Sequence, residues 1–416
     1  MRRVVVLAMV CCVWHTSLVA QLSLEEYRRR VEQYSFALSS AEWEVARSEA
    51  EWRKARKGYL PRLDVGGDFR VNFRRQSTSE KPYTYGLSPV ISGRIYDGGV
   101  TQASVGMARA QLESAQSAEE FTAFEVRYVA DYAYWNMLAT HHLSLVQEYY
   151  TRIVRSLKEV VQTRFDDGYI GKGDLLMVET QLNDAIYQQM LAEQTAQKAQ
   201  HNFNVLMGES PDAEWTPTDS LSVLVPTPRR IPIDSILARR SDLQMAMSEV
   251  ERASWAVKGA GAPYNPQITF DVVGTLAPTS PNTANRLRVD GGAGVSLSVP
   301  VFAWGERRQA VRSAKAAMMQ SVLAVSDLRD QIEQQEADAW SDVTLTRREV
   351  EQNEASLAIA TENLELATFS YSEGETSVLD VLSAQLSWIQ LYTNAIAARL
   401  AYRDAVAQYL RVAQWE

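Results

Sequence analysis

Cysteine is almost missing from this chain of 416 residues: two occur, Cys11 and Cys12, both within the first twelve positions. The rest of the chain can form no disulfide and offers no thiol nucleophile or thiolate metal ligand. Positive charge is also short. Lys and Arg total 42 against 51 Asp and Glu, a formal charge of −9. No Lys/Arg block reverses that balance locally, which argues against a nucleic-acid binder. Beyond the N-terminus no run approaches the ~18 apolar residues that a helical membrane span requires. Histidine is scarce, and His141 and His142 are neighbours on a helix pattern, about 100° apart, with no third ligand at motif spacing. There is no phosphate loop, nucleophile elbow or zinc motif. The sequence thus names no catalytic residue, no cofactor and no metal. Glu42, Glu44, Glu49 and Glu51 fit a solvated helix face better than an acid/base pair.

Two further absences are local. Residues 101–165 contain no Pro and one Gly, Gly106, and residues 307–371 contain neither. Each stretch predicts one helix of about 65 residues, roughly 100 Å at ~1.5 Å per residue, against a globular mean of about 11–12. Apolar residues recur at three- and four-residue steps: Val325, Leu328 and Ile332, then Leu382, Leu386, Ile389, Ile396 and Leu400. That is a coiled-coil rhythm with polar interruptions. Ala310, Ala314 and Ala317 allow close helix approach. Phe121, Phe124, Tyr128, Tyr132 and Trp135 form an aromatic stripe at helical steps, which suits packing.

What the chain does have is a duplication, offset by about 206 residues. Tyr59-Leu60-Pro61 is answered by Tyr264-Asn265-Pro266, and Gly99 by Gly305. Phe165-x-x-Gly168 is answered by Tyr371-x-x-Gly374. Asp174 and Leu176 are answered by Asp380 and Leu382. Each copy reads short helix, two strands, Gly turn, very long helix, Gly turn, helix. Gly168 and Gly374 sit just past the long helices, and Asp174 and Asp380, six residues on, are placed to cap the following helix.

Both copies carry alternating strand pairs. Leu63, Val65, Phe69, Val71 and Phe73 alternate with Arg62, Asp64, Asp68, Arg70 and Arg74. Ile268, Phe270, Val272 and Leu276 alternate with Gln267, Thr269, Asp271 and Thr275. Leu287, Val289, Val295, Leu297, Val299 and Val301 alternate with Arg288, Asp290, Ser296 and Ser298. Period two means one buried face. Two architectures satisfy it: a soluble sandwich with one wet face, and a membrane barrel with a water-filled lumen. Segments of about 10 to 16 residues match membrane strands better than the usual five or six. The residues between, 75–82 and 277–285, have loop composition. Four strands cannot close a barrel, because the smallest have about eight, so a barrel requires oligomerisation.

Residues 1–20 read as a secretory signal: Arg2 and Arg3, an apolar stretch from Val4 to Trp14, and a cleavage site at Ala20. The expected organisation is a first repeat over 21–208, with strands at 62–74 and 83–96 and helices near 100–165 and 174–207. An equatorial linker follows at 209–232. The second repeat, 233–416, has strands near 266–276 and 286–302 and helices near 305–371 and 378–412.

On these residues the chain resembles the TolC family of outer-membrane efflux and export channels. The most specific carrier is the second turn, from Tyr371 and Gly374 through Asp380 and Leu382 to Gln385. The resemblance implies a mainly helical fold with membrane strands. It also implies a homotrimer whose twelve-stranded barrel lies in outer-membrane lipid and whose helical tunnel enters the periplasm. The implied partners are a periplasmic adaptor protein and an inner-membrane pump, with no catalysis. Gly168 and Gly374 then mark the adaptor-docking turns. Asp380, Asp174, Tyr371, Thr376 and Ser383 mark the gate, and Arg62, Asp64, Asp68, Arg70, Arg288 and Asp290 the lumen. Three facing Asp380 carboxylates would raise one another's pKa; the alternative is that Asp380 only caps a helix. For Asp174 capping is the favoured role. Thr376 replaces an Arg, and Ser383 a second Asp, found in well-known members, which implies one acidic ring and a gate that is looser or latched differently. A function of another class also fits the long helices: a coiled-coil envelope spacer or adhesin on a membrane foot.

Overall fold

The computed structural model describes residues 21–71, 73, 83–223, 225–278 and 287–415. The expected signal, most of both hairpin tips, Asn72 and Arg74 lie outside the described residues. In chain order the elements are β1 (Gln21–Leu22), α1 (Leu24–Tyr34), α2 (Phe36–Lys57), β2 (Arg62–Val71), β3 (Tyr83–Tyr96), α3 (Val100–Asp166), α4 (Lys172–Leu206), β4 (Thr216–Pro217), α5 (Ile233–Arg239), α6 (Ser241–Gly261), a 3₁₀ turn (Ala262–Tyr264), β5 (Gln267–Pro278), β6 (Leu287–Ser298), α7 (Glu306–Glu373) and α8 (Val378–Ala413). The fold is mostly helical. With no Pro inside them, α3 and α7 run unbroken for 67 and 68 residues.

Two boundaries differ from the sequence reading for physical reasons. β6 ends at Ser298, leaving Val299 and Val301 outside it, because Pro300 has no N–H for a ladder. α4 begins at Lys172, after Gly171 as N-cap. Asp174 therefore lies inside the first turn instead of capping it.

The chain divides into two compact units. One comprises residues 36–125, 230–338 and 412–416 and contains the four-stranded antiparallel sheet, ordered β2-β3-β5-β6. The β3–β5 pairing joins the two repeats. Register pairs Leu63 with Ile91, Ile91 with Val272, and Val272 with Ala293. Every alternating apolar set therefore reaches the same face. Gly93 has no side chain because Phe270 fills that space: a Cβ there would lie 2.4 Å from the ring. At the exit of β3, Asp97 accepts from the backbone N–H of Gly99 (3.1 Å) and Thr101 (2.7 Å), capping α3. Asn265 of the second repeat donates to the Gly98 carbonyl at 2.7 Å. Away from the sheet, Ile236, Leu243, Ile332 and Ala413 form a small core.

The other unit comprises, of the described residues, 21–35 and those within 126–229 and 339–411. Its core is organised by fully buried Tyr27, Tyr134 and Phe203. The Tyr27 and Phe203 rings stack with centroids 4.1 Å apart. Tyr27 donates to the Phe203 carbonyl at 3.0 Å, and Tyr134 to Asp219 at 2.7 Å. The expected linker is partly regular, since β4 pairs in parallel with β1. Of the aromatic stripe, Trp135 is buried whereas Tyr132 stays exposed.

Candidate functional site

In the sheet unit the wet face is built by register. Arg62 stands beside Ser92, Ser92 beside Asp271, and Arg94 beside Thr269, which pairs with Ser296. Arg62 is ion-paired to Asp64 at 2.6 Å and Arg288 to Asp290 at 3.1 Å, each two residues along one strand. Asp68 lies over Gly86, where a Cβ would come within 2.8 Å of its carboxylate. Arg70 is exposed on the same face. The opposite face carries exposed Leu63, Val65, Phe69, Val295 and Leu297, at 60 to 70% accessibility. A face so apolar and so uncovered is suited to lipid, and the charged face to water. Sheet order leaves β2 and β6 as edges.

In the other unit the two Gly turns are near copies. Gly168 has φ of +78° and Gly374 of +82°. Gly168 N–H donates to Phe165 O, and Tyr169 N–H to Arg164 O, both at 2.9 Å. Gly374 N–H donates to Tyr371 O (3.1 Å) and Glu375 N–H to Ser370 O (2.9 Å). Each is a Schellman stop, which needs a left-handed residue after the helix. Leu157, Val161, Leu175, Val178, Tyr371, Val378, Val381 and Leu382 pack into a core behind the turns.

Asp380 is exposed, in the first turn of α8. Its carboxylate accepts from the Ser377 hydroxyl (2.7 Å), the Ser377 N–H (3.1 Å) and the Thr376 hydroxyl (2.9 Å). Asp380 N–H donates back to Ser377 Oγ at 3.4 Å. This is a capping box with Ser377 as the cap. Asp380 is its reciprocal member, and Thr376 serves as a donor to it. The Ser377 hydroxyl first, then the Ser377 N–H and Thr376, hold the Asp380 carboxyl below the ordinary carboxylate range. Ser383, one turn on, is exposed. Asp174 makes no capping bond.

Tyr371 is buried, and its hydroxyl has no hydrogen-bond partner among the described residues. Burial pushes its phenol up; Arg164 opposes the rise and Asp174 adds to it. Arg164 is the residue that sequence reasoning missed. Its guanidinium lies 4.4 Å over the Tyr371 ring. Its Nη2 donates to the carbonyls of Tyr371 (2.9 Å) and Ser372 (3.0 Å). A cation in the last turn of a long helix was visible in sequence, but not that it serves the other helix's end.

Comparison with known proteins agrees with this architecture. The outer membrane efflux protein family matches residues 28–209 and 233–412, one match per repeat. The outer membrane efflux protein BepC of Brucella suis is 21% identical over 383 residues, covering 87% of this chain and 81% of BepC. A crystal structure of a Pseudomonas aeruginosa membrane protein superposes with a TM-score of 0.84 at 16% identity, covering 94% of this chain and 92% of that one. The open-state structure of the Neisseria gonorrhoeae MtrE outer membrane channel gives 0.82 at 16%, covering 94% and 89%.

Proposed function

The chain belongs to the outer membrane efflux protein family, the TolC-like channels, and on that premise we propose that it is the passive exit duct of a pump assembly. Three copies close a twelve-stranded barrel in outer-membrane lipid, and their helical hairpins form a tunnel in the periplasm. A periplasmic adaptor docks at the turns around Gly168 and Gly374, and an inner-membrane pump supplies the energy. Drugs, metal ions or secreted polypeptides pass through, and the choice among them rests with the pump.

The observation that carries this reading is the sheet: one apolar exposed face, one charged face, and two open edges. Open edges of this length must be paired or they aggregate, and a barrel in lipid tolerates no free backbone. Charges on the wet face need water, which a channel supplies and a solid spacer does not require. At the turns, Asp380 with Thr376 and Ser383, together with Asp174 and Tyr371, surround the constriction. An exposed ring of three carboxylates favours cations in a narrow lumen.

Single-channel recording of the purified protein in planar bilayers tests both parts. Discrete cation-selective openings are expected, with selectivity lost in Asp380→Ala. Openings that ignore the substitution would return Asp380 to capping alone, and no openings in any variant would favour a spacer.

A further inference from the structure

Where the strands meet the helices, the charged face of the sheet bounds a cavity of about 800 Å³, a volume typical of small-molecule sites. Its lining is cationic. Lys57 comes from the last turn of α2, Arg62 from the start of β2 and Arg94 from the end of β3. Ser92 and Thr269 add hydroxyls, and Asp271 is the one carboxylate among the described residues that line it. Register accounts for the convergence. Arg62 is opposite Ser92, Ser92 opposite Asp271, and Arg94 opposite Thr269. Arg62 and Arg94 are therefore diagonal neighbours on one face, about 7–8 Å apart, a gap that two long side chains can close on one ligand. Of the three cations, Arg62 alone has a close carboxylate partner among the described residues, Asp64 at 2.6 Å. Asp97 stands 3.7 Å from Arg94, but its carboxylate is committed to the N–H groups of Gly99 and Thr101. Lys57 has no ion-pair partner among the described residues. All three cations are exposed, so each alone holds a monovalent anion weakly. A ligand with several negative oxygens engages them together, through charge-assisted and bidentate bonds.

We propose that this cavity is a binding site for small multivalent oxyanions, a station for phosphate- or polycarboxylate-bearing cargo inside the barrel. This rests on the conduit reading above. The guanidinium forks match carboxylate and phosphate oxygens, the Lys57 ammonium adds a point charge, and the hydroxyls of Ser92 and Thr269 donate. Closing a barrel pairs the backbone of the β2 edge and leaves the side chains of the charged face in the lumen. The ligand is therefore water-borne and not a lipid headgroup. Asp271 tempers the site. Its carboxylate repels the ligand, and a site on a conduction path must bind weakly enough to release. Under this reading the duct carries a cationic layer as well as the Asp380 carboxylates.

The test titrates the full-length protein with inorganic pyrophosphate in a calorimeter at low salt. Wild type is expected to bind, with affinity falling as salt is raised. Arg94→Gln should weaken binding about tenfold, the scale of one charged hydrogen bond, and Lys57→Gln should weaken it too. Asp271→Asn should tighten it severalfold, an effect that lost structural support would not produce. Asp290→Asn removes the same charge from the same face, opposite Thr275 and four residues beyond Asp271 along β5, and should change little. If Arg94→Gln fails to fold, Lys57→Gln and Asp271→Asn carry the comparison. In planar bilayers pyrophosphate should reduce the wild-type current, and reduce it less in Lys57→Gln. If the protein conducts but does not bind pyrophosphate, the site is overturned and the conduit stands. Equal tightening by Asp271→Asn and Asp290→Asn also overturns it, because net charge then explains the binding. If affinity follows the variants as expected while none of them conducts, the site is real and the conduit reading fails.

Discussion

Gly374 and Gly168 carry their turns by conformation alone. Both have positive φ, and a Cβ at either would meet nothing within 4 Å. Substitution therefore costs only backbone strain, about 1–2 kcal/mol for a non-Gly residue in the left-handed region. Gly374→Ala should lower thermal stability by that order, and Gly374→Asn by less, because Asn tolerates the conformation. Calorimetry of the purified protein measures both. Asp380 makes a second prediction at this scale. Its folded pKa lies below its unfolded value, so its contribution is complete above the unfolded pKa, about 3.9. That contribution is lost as pH falls through the lowered folded value. Protection of the amides at residues 376–380, measured against their intrinsic exchange rate at each pH, should fall on acidification, and Ser377→Ala should produce the same loss of protection at neutral pH. In the proposed trimer, mutual repulsion of three facing carboxylates would oppose this and raise the pKa. Titration of Asp380 in the assembled protein therefore weighs capping against the ring.

At the scale of elements, α3 owes its approach to α6 to Gly106. A Cβ at 106 would lie 2.2 Å from Trp255. Ala is the better helix former by about 1 kcal/mol, so on propensity alone Gly106→Ala would stabilise. The bulky indole cannot yield as a flexible chain end can, and overpacking of about 1–3 kcal/mol should win. A lowered unfolding temperature is expected, recovered in part when Trp255→Leu is added. Tyr128 on α3 and Asp404 on α8 show a different coupling. The phenol donates to the carboxylate at 3.0 Å. Burial raises the Asp404 pKa, against the Tyr128 hydrogen bond and Arg411. Burial, with Asp404 next, pushes Tyr128 to about 12. A carboxyl raised on folding binds more protons folded than unfolded, so stability falls as pH rises from its unfolded pKa through the raised value. Asp404→Asn should thus melt higher than wild type at pH 8 and lose that advantage near pH 4, in a pH series of thermal scans.

At the scale of the whole molecule the two faces of the sheet predict opposite outcomes for adjacent residues. Val295 is on the apolar face and Ser296 on the charged one. In the proposed trimeric barrel, Val295→Lys would place an ammonium in lipid, a cost of about 2–4 kcal/mol near the bilayer midplane, borne by three copies together. Loss of trimers from the outer-membrane fraction is expected. Ser296→Lys should leave assembly intact and alter ion selectivity. Equal effects of the two would remove the lipid face.

Much of this was legible in sequence because the signals are local and periodic. Alternation placed β2, β5 and β6 within a few residues, and the missing Pro and Gly delimited α3 and α7. The repeat located both turns. Only where one residue overrode the period did the pattern mislead, as with Pro300 ending β6 before Val301. The tip turns were less legible in detail. Asp380 was found by its spacing from Gly374, but the cap proved to be Ser377, because a three-residue step is a capping box only when the backbone brings the pair together.

By itself, then, the sequence determined the duplication, the element types, the two-faced strands and the positive-φ glycines, since backbone sterics and period are properties of neighbours along the chain. The tertiary structure alone decided the register that brings Leu63, Ile91, Val272 and Ala293 to one face, the seating of Trp255 on Gly106, and the reach of Arg164 to carbonyls more than 200 residues away. Those depend on which segments pack side by side, and no local pattern encodes the distance between two turns.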